Sequence, residues 1–246
     1  MSRVWIPLPD TDFDVTEVAV PWYKLKESGH EVVFATETGD KAPACDPLLL
    51  TGVIFGQLGA EPEPKEMYQA MVQSDEFCRP VAWDSLEPEA FDGLVLPGGH
   101  APGMKQYLGS DTLQQKVAEF WVLERPVGAI CHGVLVLART KHPETQRSVL
   151  FGRQTTCLPK YMERLAYFLT FWKLGKYYRT YPAYVEEEVR EALAESGVFH
   201  RGPFNLGARG TADNHKPAFV VEDGNYISAR WPGDAYLFSQ RFIELL

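Results

Sequence analysis

Short apolar segments alternate with segments of helical periodicity along most of the chain, which predicts βαβ units stacked in a parallel sheet. Predicted helices cover residues 15–27, ending at Ser28-Gly29, and 111–123, beginning after Ser110. The predicted strands are 4–8, 31–36, 93–96, 127–130 and 219–222, the last with a hairpin partner at 226–229. Right-handed crossovers make this an open, doubly wound α/β sheet with its functional site at the carboxyl ends of the strands.

One segment departs from this alternation. Residues 161–184 hold nine aromatic side chains interleaved with lysines and arginines, and an acidic run follows at 186–188. We expect a helical, aromatic-rich cap inserted at residues 158–200 within a single domain spanning 1–246. The alternative is an aromatic surface that packs on the sheet or on a second subunit. An aromatic lining would favour a substrate larger or less polar than a triose aldehyde.

Composition and charge limit the classes of partner and cofactor that this protein is expected to bind. Among 246 residues, 24 Lys and Arg oppose 33 Asp and Glu, and the net charge of -9 argues against nucleic acid or an anionic membrane as a partner. No leader and no apolar stretch of about 20 residues is readable, so we expect a cytoplasmic protein without a membrane span. The four cysteines lack metal-ligand spacing, so we expect no metal, no cofactor and no disulfide framework. A homodimer that acts on a small molecule is the default.

The most informative stretch is 125–133, where a short strand leads to Cys131-His132-Gly133 and then to a helix. This pattern predicts a nucleophile elbow, with Cys131 at a tight turn and the amides of the following helix directed at its sulfur. A cysteine in that position has its pKa lowered below the free value of about 8.5. The alternative is a buried cysteine with a purely structural role.

Two further motifs offer partners for Cys131. Gly98-Gly99-His100 follows the strand 93–96, and its glycines allow close backbone approach and N–H donation to an oxyanion. Glu17 lies in the first turn of the first predicted helix, where the helix dipole alone would favour a carboxylate. Because the first strand–helix junction of a doubly wound sheet lies close to the elbow, we expect Glu17 to exchange a proton with Cys131 and to have a raised pKa.

These motifs resemble the ThiJ/PfpI superfamily, nearest to its heat-shock-type glyoxalase III and deglycase branch. The segments that carry the resemblance are 16–21, 29–35, 96–100, 129–133 and 222–227. The resemblance implies a flavodoxin-like, class I glutamine amidotransferase-like domain. It implies Cys131 as nucleophile with His132 beside it and Glu17 hydrogen-bonded to the sulfur. It also implies an oxyanion hole at Gly99 and His132, with Gly98 and His100 contacting substrate.

The third catalytic residue is less fixed by the resemblance. By its place after a strand predicted at 152–157 we expect Glu163, with Asp213 or His215 as alternatives.

The predicted function is that of a cysteine enzyme acting on a small carbonyl or amide, either a glyoxalase III-like lyase or an amidohydrolase, deglycase or peptidase. A redox sensor or holdase chaperone with an oxidisable Cys131 is the alternative. A glutaminase is disfavoured, because the late histidines, His200 and His215, lack the distal His-x-Glu of amidotransferase domains.

Overall fold

The computed structural model describes residues 1–54, 56–179 and 181–246. Its strands are β1 (Arg3–Pro7), β2 (Thr11–Phe13), β3 (Glu31–Thr36), β4 (Ala44–Cys45), β5 (Val81–Ala82), β6 (Gly93–Leu96), β7 (Val127–Ile130), β8 (Gln154–Thr155), β9 (Val198–Phe199), β10 (Val220–Asp223) and β11 (Tyr226–Ala229). Its helices are α1 (Val15–Glu27), α2 (Pro47–Thr51), α3 (Pro62–Met71), α4 (Asp75–Cys78), α5 (Met104–Leu108), α6 (Asp111–Trp121), α7 (Val134–Arg139), α8 (Lys160–Leu174), α9 (Val185–Leu193) and α10 (Ala235–Leu245), with 3₁₀ turns at Pro88–Ala90, Cys131–Gly133 and Pro232–Asp234.

The central sheet has the order β10-β11-β7-β6-β1-β3-β5. Every neighbouring pair in it is parallel except the hairpin of β10 and β11. Strands β6, β7 and β11 are buried along their whole length, as expected for parallel strands covered on both faces. The predicted α/β class with a mostly parallel sheet is therefore confirmed, and α1, β3, β6, β7 and β11 have the predicted bounds. The strand predicted at 152–157 is shorter, since only β8 forms there.

Helix α1 starts where its sequence predicts. The side chain of Asp14 accepts hydrogen bonds from the backbone N–H groups of Thr16 (2.8 Å) and Glu17 (3.1 Å), which satisfies two donors of the first turn. The helix ends at Ser28, and Gly29 follows with φ +79°. The cap at Asp14 thereby fixes Glu17 in the first turn, beside the carboxyl end of β1.

The insertion begins and ends at a small two-stranded sheet that is separate from the central one. Strands β8 and β9 pair in parallel, Gln154 with Val198 and Thr155 with Phe199, so α8 and α9 form an excursion between them. Three aromatic residues of α8 are about half exposed: Phe168 at 55%, Phe171 at 49% and Trp172 at 59%. Among the described residues, no helix is both long enough and apolar enough to span a membrane.

Candidate active site

The turn after β7 has the geometry of a nucleophile elbow. Cys131 has φ +58°, a conformation that non-glycine residues rarely adopt, and it is only 1% exposed. A Cβ at Gly133 would clash with the carbonyl oxygen of Leu96, so only glycine lets the elbow pack against the end of β6. A Cβ at Gly98 would lie 2.7 Å from the backbone nitrogen of His132. The two glycines therefore allow the ends of β6 and β7 to meet.

Glu17 lies against the thiol of Cys131. Its carboxylate is completely buried, and the backbone N–H of Gly98 donates to Oε2 over 2.8 Å. Among the described residues, Oε1 accepts from no N–H or O–H group, and the Cys131 thiol lies within hydrogen-bonding reach of the carboxyl group. The structure thus brings together the two residues that the sequence predicted as proton-transfer partners.

Burial sets the protonation of this pair. It raises the pKa of Cys131 well above its ordinary value, and the charges of Glu17 and Asp14 raise it further. Burial likewise raises the pKa of the Glu17 carboxyl, with Asp14 adding to the effect. The lowered thiol pKa that the sequence predicted is therefore absent, because desolvation outweighs the short helix α7. Two adjacent buried groups do not both ionise readily, so the pair carries at most one negative charge, and an ionised Glu17 opposes formation of the thiolate.

A Glu17→Gln substitution is expected to shift the pH midpoint of Cys131 alkylation by iodoacetamide to lower pH. The amide keeps the shape of the side chain but removes the negative charge that raises the thiol pKa. Alkylation rates measured from neutral to alkaline pH, with the labelled site identified by mass spectrometry, check this. Asp14→Asn is the matched variant, and its shift should be in the same direction but smaller. A midpoint that moves to higher pH in Glu17→Gln would contradict the electrostatic argument.

The imidazole of His132 lies beside the thiol, and that of His100 packs on the ring of His132. His132 Nδ1 lies 3.5 Å from Cys131 Sγ, and the rings of His132 and His100 meet edge to face with centroids 4.6 Å apart. Burial lowers the pKa of His100 to about 4. Burial lowers the pKa of His132 well below its ordinary value, and the charge of His100 and the guanidinium groups of Arg139 and Arg179 act in the same direction. At neutral pH both rings are uncharged, so His132 can accept a proton.

The backbone of Gly98 is held by Glu17 and Asp14. Its N–H is bound by Glu17, and its carbonyl oxygen accepts from the N–H of Asp14 over 2.9 Å. The next residue, Gly99, is closely packed, because a Cβ there would lie 2.8 Å from the carbonyl oxygen of Asp12. The oxyanion hole at Gly99 and His132 stays a prediction, as do the substrate contacts of Gly98 and His100.

The three candidates for a third catalytic residue lie in different places. Glu163 is buried and accepts from Arg179 (2.9 Å) and from the backbone N–H of Val185 (3.0 Å), so it joins α8 to α9. Asp213 is exposed. His215 lines a separate cavity at the carboxyl end of α1 with Lys24 and Glu27. The geometry therefore gives Glu163 a role in holding the cap, and its catalytic role stays a prediction.

A pocket of about 220 Å³ opens beside the elbow, and His100 and Asp14 form part of its wall. Sequence reasoning missed two of its polar groups, Asp46 and Tyr178. The hydroxyl of Tyr178 donates to Asp46 over 2.7 Å, and burial raises the pKa of Asp46. An aspartate before a proline that begins a helix, as at Asp46-Pro47, signals a helix cap but not its place in the wall of this pocket. Nothing local in the sequence identifies Tyr178.

Comparisons of this chain with known proteins all find members of one protein family. A profile described as ThiJ/PfpI family-like matches residues 8–203. An uncharacterized protein of Schizosaccharomyces pombe is 34% identical over 174 residues, which are 67% of this chain and 62% of that protein. Deglycase PfpI of Pyrococcus furiosus is 27% identical over 243 residues, 97% of this chain and 96% of that protein. The crystal structure of glyoxalase III from Candida albicans has a TM-score of 0.69 at 20% identity, over 100% of this chain and 97% of that one, which shows a shared fold.

Proposed function

Since this chain belongs to the ThiJ/PfpI family, we propose that it is a cysteine enzyme that converts a 2-oxoaldehyde to a 2-hydroxy acid. The observation that carries the proposal is the buried contact between the Cys131 thiol and Glu17, at an elbow held by two glycines. A carboxyl group with a raised pKa is suited to giving and taking a proton near neutral pH. The glyoxalase III of C. albicans shares this fold.

The reaction divides into steps that these side chains can perform without a cofactor. The thiolate of Cys131 adds to the aldehyde carbon, and the resulting oxyanion takes a proton from Glu17 to give a hemithioacetal. Glu17, now ionised, or neutral His132 removes the proton from that carbon to form an enediol. Return of the proton to the neighbouring carbon gives the thioester of a 2-hydroxy acid. Water then hydrolyses the thioester, which releases the acid and restores the thiol.

Hydrolysis of an amide or of a glycated amine is the second candidate. It is favoured by the 27% identity to Deglycase PfpI over nearly the whole of both chains. The same thiolate would attack the substrate carbon, and the backbone near Gly99 would hold the oxyanion. The two reactions share the nucleophile and differ in whether a proton moves between adjacent carbons.

The experiment that separates them supplies methylglyoxal to the purified protein in D₂O and detects lactate by NMR. Lactate formed by the intact protein, and not after Cys131 is alkylated with iodoacetamide, supports the lyase, and the deuterium content at its carbon 2 measures how far the transferred proton exchanges with solvent. Absence of lactate together with release of fluorophore from a peptidyl amide would favour the hydrolase. A reactive Cys131 that turns over neither substrate would favour the redox sensor or holdase.

A further inference from the structure

The pocket beside the elbow is polar at its inner end. Asp14 and His100, which line it there, also touch the catalytic group. Asp14 is 9% exposed and its charge raises the pKa of both Cys131 and Glu17, while the ring of His100 packs on that of His132. His100 therefore forms a wall shared by the pocket and the catalytic site.

The outer end of the same pocket is apolar. Four leucines that line it are themselves partly exposed and so stand at its mouth: Leu58, Leu165, Leu169 and Leu206. Monomeric proteins leave few contiguous apolar surfaces in water, and those that surround a cavity are typical of ligand sites. The exposure of this rim is thus explained by an apolar group that enters from solvent.

Helix α8 is built to form this wall. Met162, Leu165, Ala166 and Leu169 follow the three- and four-residue spacing of one helix face and all line the pocket, whereas Phe168 and Phe171 on the same helix do not. Helix α8 therefore presents aliphatic side chains to the cavity, while its Phe168 and Phe171 lie outside the lining.

The charges at the inner end disfavour an anionic ligand. Asp14 and Asp46 line the pocket together, and Asp46 is held by the hydroxyl groups of Tyr177 and Tyr178. The cation of the lining, Arg209, lies 3.5 Å from Glu61 and over the ring of Trp231. A carboxylate or phosphate on the ligand would face two acidic side chains, so a neutral ligand fits best.

We propose that this pocket binds the apolar substituent of the substrate, so that the enzyme prefers neutral 2-oxoaldehydes with an alkyl or aryl chain over methylglyoxal. The inference rests on the proposed function. The chain lies along α8 between the leucines, and the carbonyl group reaches Cys131 Sγ past His100. Full burial of one methylene improves binding by about fourfold, and partial burial in this open pocket by about twofold. Five added methylenes should then raise kcat/KM by more than about tenfold.

The test compares 2-oxooctanal with methylglyoxal on the full-length protein and on two variants. Leu169→Asp places a charge in the pocket wall, and Phe171→Asp places it on the same helix at similar exposure but outside the lining. We expect the ratio of kcat/KM for 2-oxooctanal over methylglyoxal to exceed about ten in the intact protein. This ratio should fall at least tenfold in Leu169→Asp and stay the same in Phe171→Asp.

Binding of 1-octanol, measured by titration calorimetry on the same three proteins, supplies a readout that does not need turnover. If kcat/KM for methylglyoxal equals that for 2-oxooctanal, the preference is overturned while the proposed function stands. If neither aldehyde is consumed, the proposed function fails, and octanol then decides on the pocket alone. Octanol binding that Leu169→Asp removes and Phe171→Asp retains supports the apolar site, and no binding to the intact protein overturns it.

Discussion

Cys131→Ser is expected to lower kcat for methylglyoxal by about three orders of magnitude or more, the scale seen when a catalytic nucleophile is removed. Serine has nearly the same shape, but its hydroxyl ionises far less readily than a thiol and is a weaker nucleophile at this buried position. Initial rates of lactate formation measure the loss. The urea midpoint of unfolding of the variant should match that of the intact protein, since the positive φ at residue 131 strains both side chains alike.

Cys78→Ser is the matched control, because Cys78 is an exposed cysteine at the end of α4. It should leave both the rate and the urea midpoint unchanged. A Cys131→Ser protein that keeps more than about one tenth of the rate would remove Cys131 from the chemistry, whatever its place in the elbow. A control that loses activity to the same extent would instead point to a general effect of thiol removal.

The elbow at Cys131 and the placement of Glu17 against it could be predicted because both have local causes. The elbow is one continuous stretch of sequence: strand β7, the small residues around Cys131 and the start of α7. A strand, small residues and a helix in this order predict the tight turn. Glu17 could be placed because Asp14 caps α1 and so fixes the first turn beside β1. The contact between Glu17 and Cys131 then follows from the strand order, because a doubly wound sheet allows only a few strand orders.

What the sequence could not predict depends on packing between distant segments. The direction of the Cys131 pKa is decided by complete burial and by two carboxylates, whereas the local pattern showed only the helix N-terminus. The guanidinium that binds Glu163 comes from Arg179, beyond the end of α8. These contacts follow from how the cap folds back on the domain, which periodicity does not encode.

The face of the cap that lines the pocket could not be predicted from composition. The number of aromatic residues in 161–184 does not say which face of a helix is covered. The aliphatic spacing from Met162 to Leu169 marked the pocket face, and Phe168 and Phe171 fall on another. The positions of the aliphatic residues along α8, and not the number of its aromatic residues, therefore indicate which face lines the pocket.

Asp234→Ala is expected to lower the free energy of unfolding by about 3–5 kcal/mol, because it breaks a buried ion pair and leaves the partner charge uncompensated. Asp234 and Arg230 are completely buried, with Arg230 Nε donating to Oδ2 and an Arg230 terminal N–H donating to Oδ1, each over 2.9 Å. Asp234 also accepts from the backbone N–H groups of Arg230 and Phe219. Urea unfolding followed by circular dichroism at neutral pH measures the change.

Asp213→Ala supplies the control, since Asp213 is exposed, and it should change the free energy of unfolding by no more than about 0.5 kcal/mol. A loss below about 1 kcal/mol in Asp234→Ala would mean that water or a neighbouring group replaces the carboxylate. Asp234→Ala should also disturb the pocket, because the turn at Pro232–Asp234 directly follows Trp231, and both Trp231 and Pro232 line the cavity. At urea concentrations too low to unfold Asp234→Ala, its affinity for 1-octanol should therefore fall while that of Asp213→Ala does not.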